Sequence, residues 1–392
     1  MSFHTPPMAE RIHIGIFGKR NAGKSSIINA ITGQNLAIVS DIKGTTTDPV
    51  QKSMELLPLG PVVVIDTPGL DDDGSLGALR VKKSYQTLNK TDIALLVVDA
   101  CTGFTSEDSD ILAKIREKRI PYVVALNKSD LTDNPISLSE REILVSAKTG
   151  YHIRELKELL AAQIPQESDK ILIGDLVSPS DVVILVIPVD KAAPKGRLIL
   201  PQQQTIRDLL DHNAISMMVK EDRLAETLAL LKQKPALVIT DSQAFATVSH
   251  IVPEDILLTS FSILFARYKG ELNEQVAGAS VLDDLQDEDT ILICEGCTHH
   301  RQCGDIGTEK LPAWITRHSG KNLSFAFTSG TEFPDELSGY RLIIHCGGCM
   351  LNDREMKYRI QCAKDARIPI TNYGTAIAHM NGILERSLKV FQ

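Results

Sequence analysis

Gly18-Lys19-Arg20-Asn21-Ala22-Gly23-Lys24-Ser25 lies between an apolar, strand-like run, Ile12 to Phe17, and a helical segment, Ser26 to Thr32. It matches G-x-x-x-x-G-K-S. The glycines let the backbone curl so that its N–H groups face the β- and γ-phosphates of a nucleotide, and the helix that follows adds the positive end of its dipole. Lys24 supplies a point charge and the Ser25 hydroxyl a magnesium ligand, with Asn21, Ala22, Gly23 and Ser26 completing the cradle. Strand, loop and helix in this order open an α/β domain built on a mostly parallel sheet.

Two further apolar runs end in polar motifs. Val62 to Ile65 leads into Asp66-Thr67-Pro68-Gly69. There Asp66 would hold magnesium through a water and the Gly69 N–H would sense the γ-phosphate. Tyr122 to Leu126 leads into Asn127-Lys128-Ser129-Asp130. The Asp130 carboxylate can accept from the N1–H and the 2-amino group of guanine. Adenine lacks that donor pair and would leave the carboxylate unpaired. Ser146-Ala147-Lys148, after the strand Ile143 to Val145, would close over the base.

In order and spacing these motifs resemble those of the translation-factor-like GTPases, over about residues 10 to 164. Gly44-Thr45-Thr46-Thr47-Asp48 resembles the switch segment of the tRNA-modification and ribosome-assembly GTPases, which implies that Thr46 gives its hydroxyl to magnesium. Leu70 stands where Ras-like proteins carry a water-orienting glutamine, so intrinsic hydrolysis should be slow. In the potassium-activated GTPases an asparagine at the position of Asn21 ligates the ion, and the resemblance implies potassium stimulation here. No general base stands out; Asp71, Asp72 and Asp73 read as an acidic loop.

The chain has 392 residues, 43% apolar and 23% charged, with a net charge of −8. Such a composition suits a soluble globular protein of two or three domains. The charge argues against wrapping nucleic acid non-specifically. No apolar stretch reaches the length of a membrane span, and Met1 to Glu10 lacks the order of a secretory signal. The expected location is the cytoplasm, where seven cysteines read as metal ligands or buried thiols rather than disulfides.

Tyr151 to Ile164 reads as an amphipathic helix, and Pro165 to about Ser180 as a linker. Strands are expected at Val182 to Val189, Ile215 to Val219 and Ala236 to Thr240, with helices at Gln204 to His212, Arg223 to Lys232 and Ile256 to Phe265. This middle segment has no cysteine and no catalytic constellation; His212 and His250 read as surface or packing residues.

The thiols crowd the last third. Cys297-Thr298-His299 follows the strand-like run Thr290 to Ile293, and His345-Cys346-Gly347-Gly348-Cys349 follows Leu342-Ile343-Ile344. Two loops leaving neighbouring strands of one sheet would bring Cys297, Cys346 and Cys349 to one point. Three thiolates there suit an iron–sulfur cluster, zinc or copper, and spacing alone does not separate them. Cys294 reads as a buried strand thiol, Cys303 as a spare ligand or loop thiol, and Cys101 and Cys362 as structural.

Cys-x-His…His-Cys-x-x-Cys behind a GTPase domain resembles the HydF family, the maturation GTPases of FeFe-hydrogenases. The resemblance rests on Cys297, His299, His345, Cys346 and Cys349, with His300 and Asp305-Ile306-Gly307 in support. It implies a 4Fe–4S cluster on the three cysteines, with His299 or His345 as fourth ligand or outer hydrogen-bond partner. It also implies a homodimer that accepts a two-iron precursor from the radical enzymes HydE and HydG and delivers it to apo-hydrogenase. The expected architecture is a P-loop GTPase domain (residues 1–166), an α/β dimerisation domain (167–268) and an α/β cluster-binding domain (269–392). The competing reading is an RNA-modification or ribosome-assembly GTPase with a zinc-stapled module. The acidic charge weighs against it, as does the lack of a basic, aromatic-interleaved stretch in the last third.

Overall fold

The computed structural model describes residues 8–33, 49–69, 81, 83–132, 138–164, 171–188, 198–296, 305–330 and 332–392. The chain folds as two compact units, Met1–Glu167 and Ser168–Gln392.

The first unit is a six-stranded sheet in the order β2-β3-β1-β4-β5-β6. Its strands are β1 (Ile12–Phe17), β2 (Val50–Leu56), β3 (Gly60–Asp66), β4 (Ile93–Asp99), β5 (Tyr122–Asn127) and β6 (Glu142–Leu144). β2 runs antiparallel to β3, and every other pairing is parallel. Helices cover both faces, which is why the central strands are continuous apolar runs rather than alternating ones. On one face α1 (Lys24–Thr32) and α3 (Ile153–Ala162) set Ile27, Ile31, Leu156 and Leu160 against Ile14, Ile16, Val62 and Val123. On the other, α2 (Ser106–Glu117) sets Ile111 and Ile115 against Phe17, Leu96 and Val124. Asp108, in the first turn of α2, accepts from the Thr105 N–H at 3.1 Å and the Thr105 hydroxyl at 2.8 Å, which ties the chain entering the helix to its first turn.

The second unit holds two four-stranded sheets, each wholly parallel. The first has the order β10-β9-β7-β8, from β7 (Val182–Val186), β8 (Ile215–Val219), β9 (Leu237–Thr240) and β10 (Leu257–Ser260). The second has the order β12-β11-β13-β14, from β11 (Thr290–Glu295), β12 (Ser324–Ser329), β13 (Leu342–His345) and β14 (Ile370–Asn372). Helices α4 (Leu200–Asp211), α5 (Leu224–Leu230), α6 (Phe245–Ile251), α7 (Phe261–Lys269) and α8 (Leu272–Ala279) accompany the first sheet and the passage to the second. Helices α9 (Leu311–Ser319), α10 (Asp353–Asp365), α11 (Tyr373–Met380) and α12 (Leu384–Leu388) belong to the last third.

One expected element is replaced. The apolar run Ile256 to Phe265 is not a single helix: Leu257–Ser260 is the edge strand β10, and the helix begins at Phe261. A short strand buried on most positions lacks alternation, so its apolar run looks like a helix segment. The Ser260 hydroxyl marks the change by accepting from the Ile263 N–H as an N-cap. Cys101, read as structural, is exposed in the turn after β4.

The C-terminal helices pack onto the first sheet. Ala378 and Leu384, from the C-terminal helices, lie in one cluster with Ile184, Val238 and Leu258. Arg386 of α12 reaches back and donates to the carbonyls of Ser249 (3.0 Å), Val252 (2.8 Å) and Pro253 (2.6 Å).

Candidate functional site

The nucleotide cradle sits at the carboxyl ends of β1, β3 and β5, where open α/β sheets bind ligands. Gly18 and Gly23 have φ of 139° and 93°, and a Cβ at either would lie 2.2 Å from Val97 O or Asn127 Nδ2. Only glycine fits both positions. Asn21 also adopts a left-handed conformation, φ 64°, which asparagine tolerates better than most residues. Lys24 is almost buried and donates to the carbonyls of Gly18 (2.9 Å) and Lys19 (2.8 Å), so its ammonium lies over the loop. The Ser25 hydroxyl is 3.4 Å from Asp66 Oδ2, which brings the two expected magnesium-side residues together. Burial lifts the Asp66 carboxyl above its ordinary value, against the pull of Lys24, Ser25 and Lys52.

The base-side motifs form one hydrogen-bonded set. Ser146 Oγ donates to Asp130 Oδ1 at 2.7 Å. Asn127 Nδ2 donates to Ala22 O at 3.0 Å, and its Oδ1 accepts from the Ala147 N–H at 3.0 Å. Asn127 therefore ties the phosphate loop to the base loop. Lys128, at φ 67°, pairs with Asp99 at 2.5 Å. Burial opposes ionisation of Asp99, but Lys128 and the Cys101 N–H outweigh it and hold the carboxyl below its usual range. Asp99 was not singled out in sequence, and its place at the end of a buried strand beside β5 was the available signal. Lys148 is exposed beside the base loop, and Gly69 closes the described part of its motif. Thr46 and Leu70 lie outside the described residues.

The thiol-bearing loops leave adjacent parallel strands. β11 and β13 pair with Cys294 opposite His345, and Cys346 N–H extends the ladder to Cys294 O at 2.8 Å. Just beyond, Cys346 Sγ accepts from the Gly296 N–H at 3.0 Å and the Gly348 N–H at 3.4 Å. Gly296 packs so tightly here that a Cβ would lie 3.0 Å from Leu351 Cγ and 3.5 Å from Gly348 Cα. The residue preceding Cys297 thus touches the Cys346–Cys349 loop. Cys297, His299 and Cys303 themselves lie outside the described residues. Cys294 is fully buried, and burial raises its thiol to about 11, as a packing thiol requires.

Two buried cations that sequence reading did not single out hold this loop. Lys269, at the end of α7, donates to Leu351 O at 2.7 Å and reaches Gly348 O and Cys349 O at 3.4 Å. Burial raises the half-buried Cys349 thiol, and Lys269 opposes that rise. Arg359, fully buried on α10, donates to Glu355 Oε1, Gly330 O and His345 Nε2, each at 2.9 Å. A guanidinium only donates, so Nε2 of His345 accepts and its proton sits on Nδ1, which donates to Cys346 O at 2.8 Å. Burial and then the Arg359 charge hold the His345 pKa down at about 3. With both ring nitrogens engaged, His345 braces the loop carbonyl and offers no nitrogen to an ion in this arrangement.

Comparison with known families agrees with this layout. A family described as 50S ribosome-binding GTPase matches residues 13–128. The Hydrogen maturase F dimerization domain matches residues 172–270, and the Hydrogen maturase F tetramerization domain matches 273–390. The tRNA modification GTPase MnmE of Laribacter hongkongensis is 35% identical over 158 residues, which are 39% of this chain and 35% of that protein. The GTPase Der of Wolinella succinogenes is 36% identical over 163 residues, 38% of this chain and 34% of that protein. The chain thus spans about a third of the length of these curated relatives. A crystal structure of Aquifex aeolicus Era bound to GDP.AlF4- aligns at TM-score 0.35 and 20% identity, covering 56% of this chain and 98% of that one.

The first unit is accordingly a P-loop GTPase domain, followed by two regions that match hydrogen-maturase dimerization and tetramerization models. Those two domains match hydrogen-maturase models over more than half of the chain, and the chain belongs to the HydF family of hydrogenase-maturation GTPases. Among the described residues no helix is long and apolar enough to cross a membrane.

Proposed function

We propose that this chain hydrolyses GTP and serves as a scaffold and carrier in the maturation of FeFe-hydrogenase. In this reading Cys297, Cys346 and Cys349 hold a 4Fe–4S cluster, a two-iron precursor arrives from HydE and HydG, and the apo-hydrogenase receives it. The observation that carries the cluster assignment is the 3.0 Å contact from the Gly296 N–H to Cys346 Sγ, which brings the backbone leading into Cys297 onto the second thiol loop. Two N–H donors on one sulfur favour its thiolate form, and thiolates are the donors such clusters use. With three cysteine ligands, a bound cubane would present one iron open to exchangeable ligands.

The chain's own residues divide the remaining work. Lys24 and the loop N–H groups hold the phosphates, with Ser25, Thr46 and Asp66 on the magnesium side and Asn21 as a potassium ligand. Asp130, backed by Ser146, selects guanine, and Asn127 makes phosphate and base binding one event. Lys269, Arg359 and His345 keep the thiol loop in place. GTP would govern association with the partners, working through self-associated chains in the cytoplasm.

Anaerobic iron, sulfide and zinc analysis tests the cluster. Iron and sulfide should be present and zinc absent, and Cys346→Ser should lose the iron while retaining GTP turnover. Zinc in place of iron would end the carrier reading. Pull-downs with HydE and HydG under GTP, GDP and no nucleotide test the regulation, and equal retention in all three would refute it.

A further inference from the structure

Away from the thiol loops, three side chains of the last third converge on one point. Asp283 ends a short helical turn, Ser280–Asp283; His318 lies in the last turn of α9 and His379 in the last turn of α11. Asp283 Oδ1 is 2.7 Å from His318 Nε2, and Oδ2 is 2.9 Å from His379 Nε2. The three ligand atoms all lie within 4.8 Å of one another. The imidazole rings meet edge to face, with centroids 6.1 Å apart.

The positions are rigidly supplied. Leu282, Ile315 and Ala376 are fully buried in one cluster with Ile377, so each donor stands next to, or one helical turn from, a core anchor. The electrostatics favour a cation. The last turns of two helices, where partial negative charge accumulates, supply the imidazoles that meet the carboxylate. The Asp283 carboxylate accepts from His318 through one oxygen and from His379 through the other, so all three donors already face one point. The Asp283 side chain is 56% exposed while the imidazoles are 25% and 21% exposed, so the point is open to water on one side.

We propose that Asp283, His318 and His379 form a binding site for one divalent first-row transition-metal ion, separate from the thiol loops. Two imidazole nitrogens and one carboxylate suit zinc or ferrous iron, and two nitrogens in three disfavour magnesium and calcium. The ion would enter between Nε2 of each ring and the carboxylate, replacing the two hydrogen bonds. Solvent would complete its coordination, as in sites with three protein ligands. An ion here would clamp the ends of α9 and α11 within the domain whose family is named for tetramerization.

The test is calorimetric titration of the full-length, untagged chain, purified anaerobically, with Zn2+ and, in a second arm, Fe2+. One equivalent of Zn2+ should bind saturably in the presence of excess Mg2+. His318→Gln and His379→Gln preserve size and the hydrogen bond to Asp283. Each should weaken binding by at least about 100-fold, since losing a ligand exceeds the loss of an outer partner. Co2+ should show visible ligand-field bands that His318→Gln and His379→Gln each abolish, whereas any thiolate charge transfer from ions on the thiol loops should persist in both variants. The inference falls if the parent chain shows no saturable Zn2+ binding, or if both glutamine variants bind as the parent does.

Discussion

Asn127 and Ala22, 105 positions apart, are joined by a 3.0 Å hydrogen bond from Nδ2 to the carbonyl oxygen. The same amide's Oδ1 accepts from Ala147, so one side chain holds the phosphate loop and the base loop together. Asn127→Ala would leave a buried carbonyl and an N–H without their partner, at about 1–3 kcal/mol each. Nucleotide affinity should fall at least about tenfold with Asp130 intact. Fluorescent GDP titration measures it, and an unchanged affinity would show the tie to be dispensable.

Asn21 poses a choice between ion ligand and loop former. Its left-handed backbone fits both accounts. Asn21→Gly keeps that conformation and deletes only the amide. The parent chain should turn over GTP faster in potassium than in sodium, and the glycine variant should lose the difference. Steady-state phosphate release in the two salts decides, and stimulation that persists in the variant would leave the backbone alone responsible.

Asp66 links stability to pH. Burial raises its pKa, so its stabilising contribution is complete below the unfolded-state value and is lost as pH rises through the folded-state value. At neutral pH the ionised carboxylate therefore costs the nucleotide-free domain stability. Asp66→Asn should melt at a higher temperature than the parent without nucleotide and lose GTP turnover. Scanning calorimetry at pH 7 checks the first half, and a lower melting temperature would contradict the burial argument.

Arg359 and Glu355 form an ion pair whose side chains are 0% and 6% exposed. Arg359→Met should destabilise the second unit by about 3–5 kcal/mol, because it strands a buried carboxylate. Adding Glu355→Met removes that stranded charge and should restore a large part of the loss. Urea unfolding of the single and double variants measures both; equal destabilisation in the two would place the cost elsewhere.

The parts that were legible in the sequence are those where local pattern and chemistry coincide. Ile12–Phe17 ran unbroken into a glycine loop, and Leu342–Ile344 ran into two thiols, so strand ends and site loops announced each other. β10 was missed because Leu257–Ser260 is too short for its apolar residues to reveal a period. β12 escaped because Ser324–Ser329 mixes serine and threonine with phenylalanine, as its half-buried side chains allow. Lys269 and Arg359 were opaque for a different reason. Each serves carbonyls or a ring on other elements of the fold, and a lone basic residue within a helix reads as solvated when its distant partners are not visible.

Arg386 carries a practical consequence. The family boundary at residues 270–273 suggests a place to cut the chain into modules, yet the guanidinium that plugs the carbonyls of Ser249, Val252 and Pro253 is encoded far beyond it. A fragment stopping there would keep β7 to β10 and forfeit both that plug and the apolar lid of Leu384. The boundary between the two family matches thus runs through a single packed unit, residues 168–392, and a design that keeps that unit whole keeps the contacts closing its first sheet.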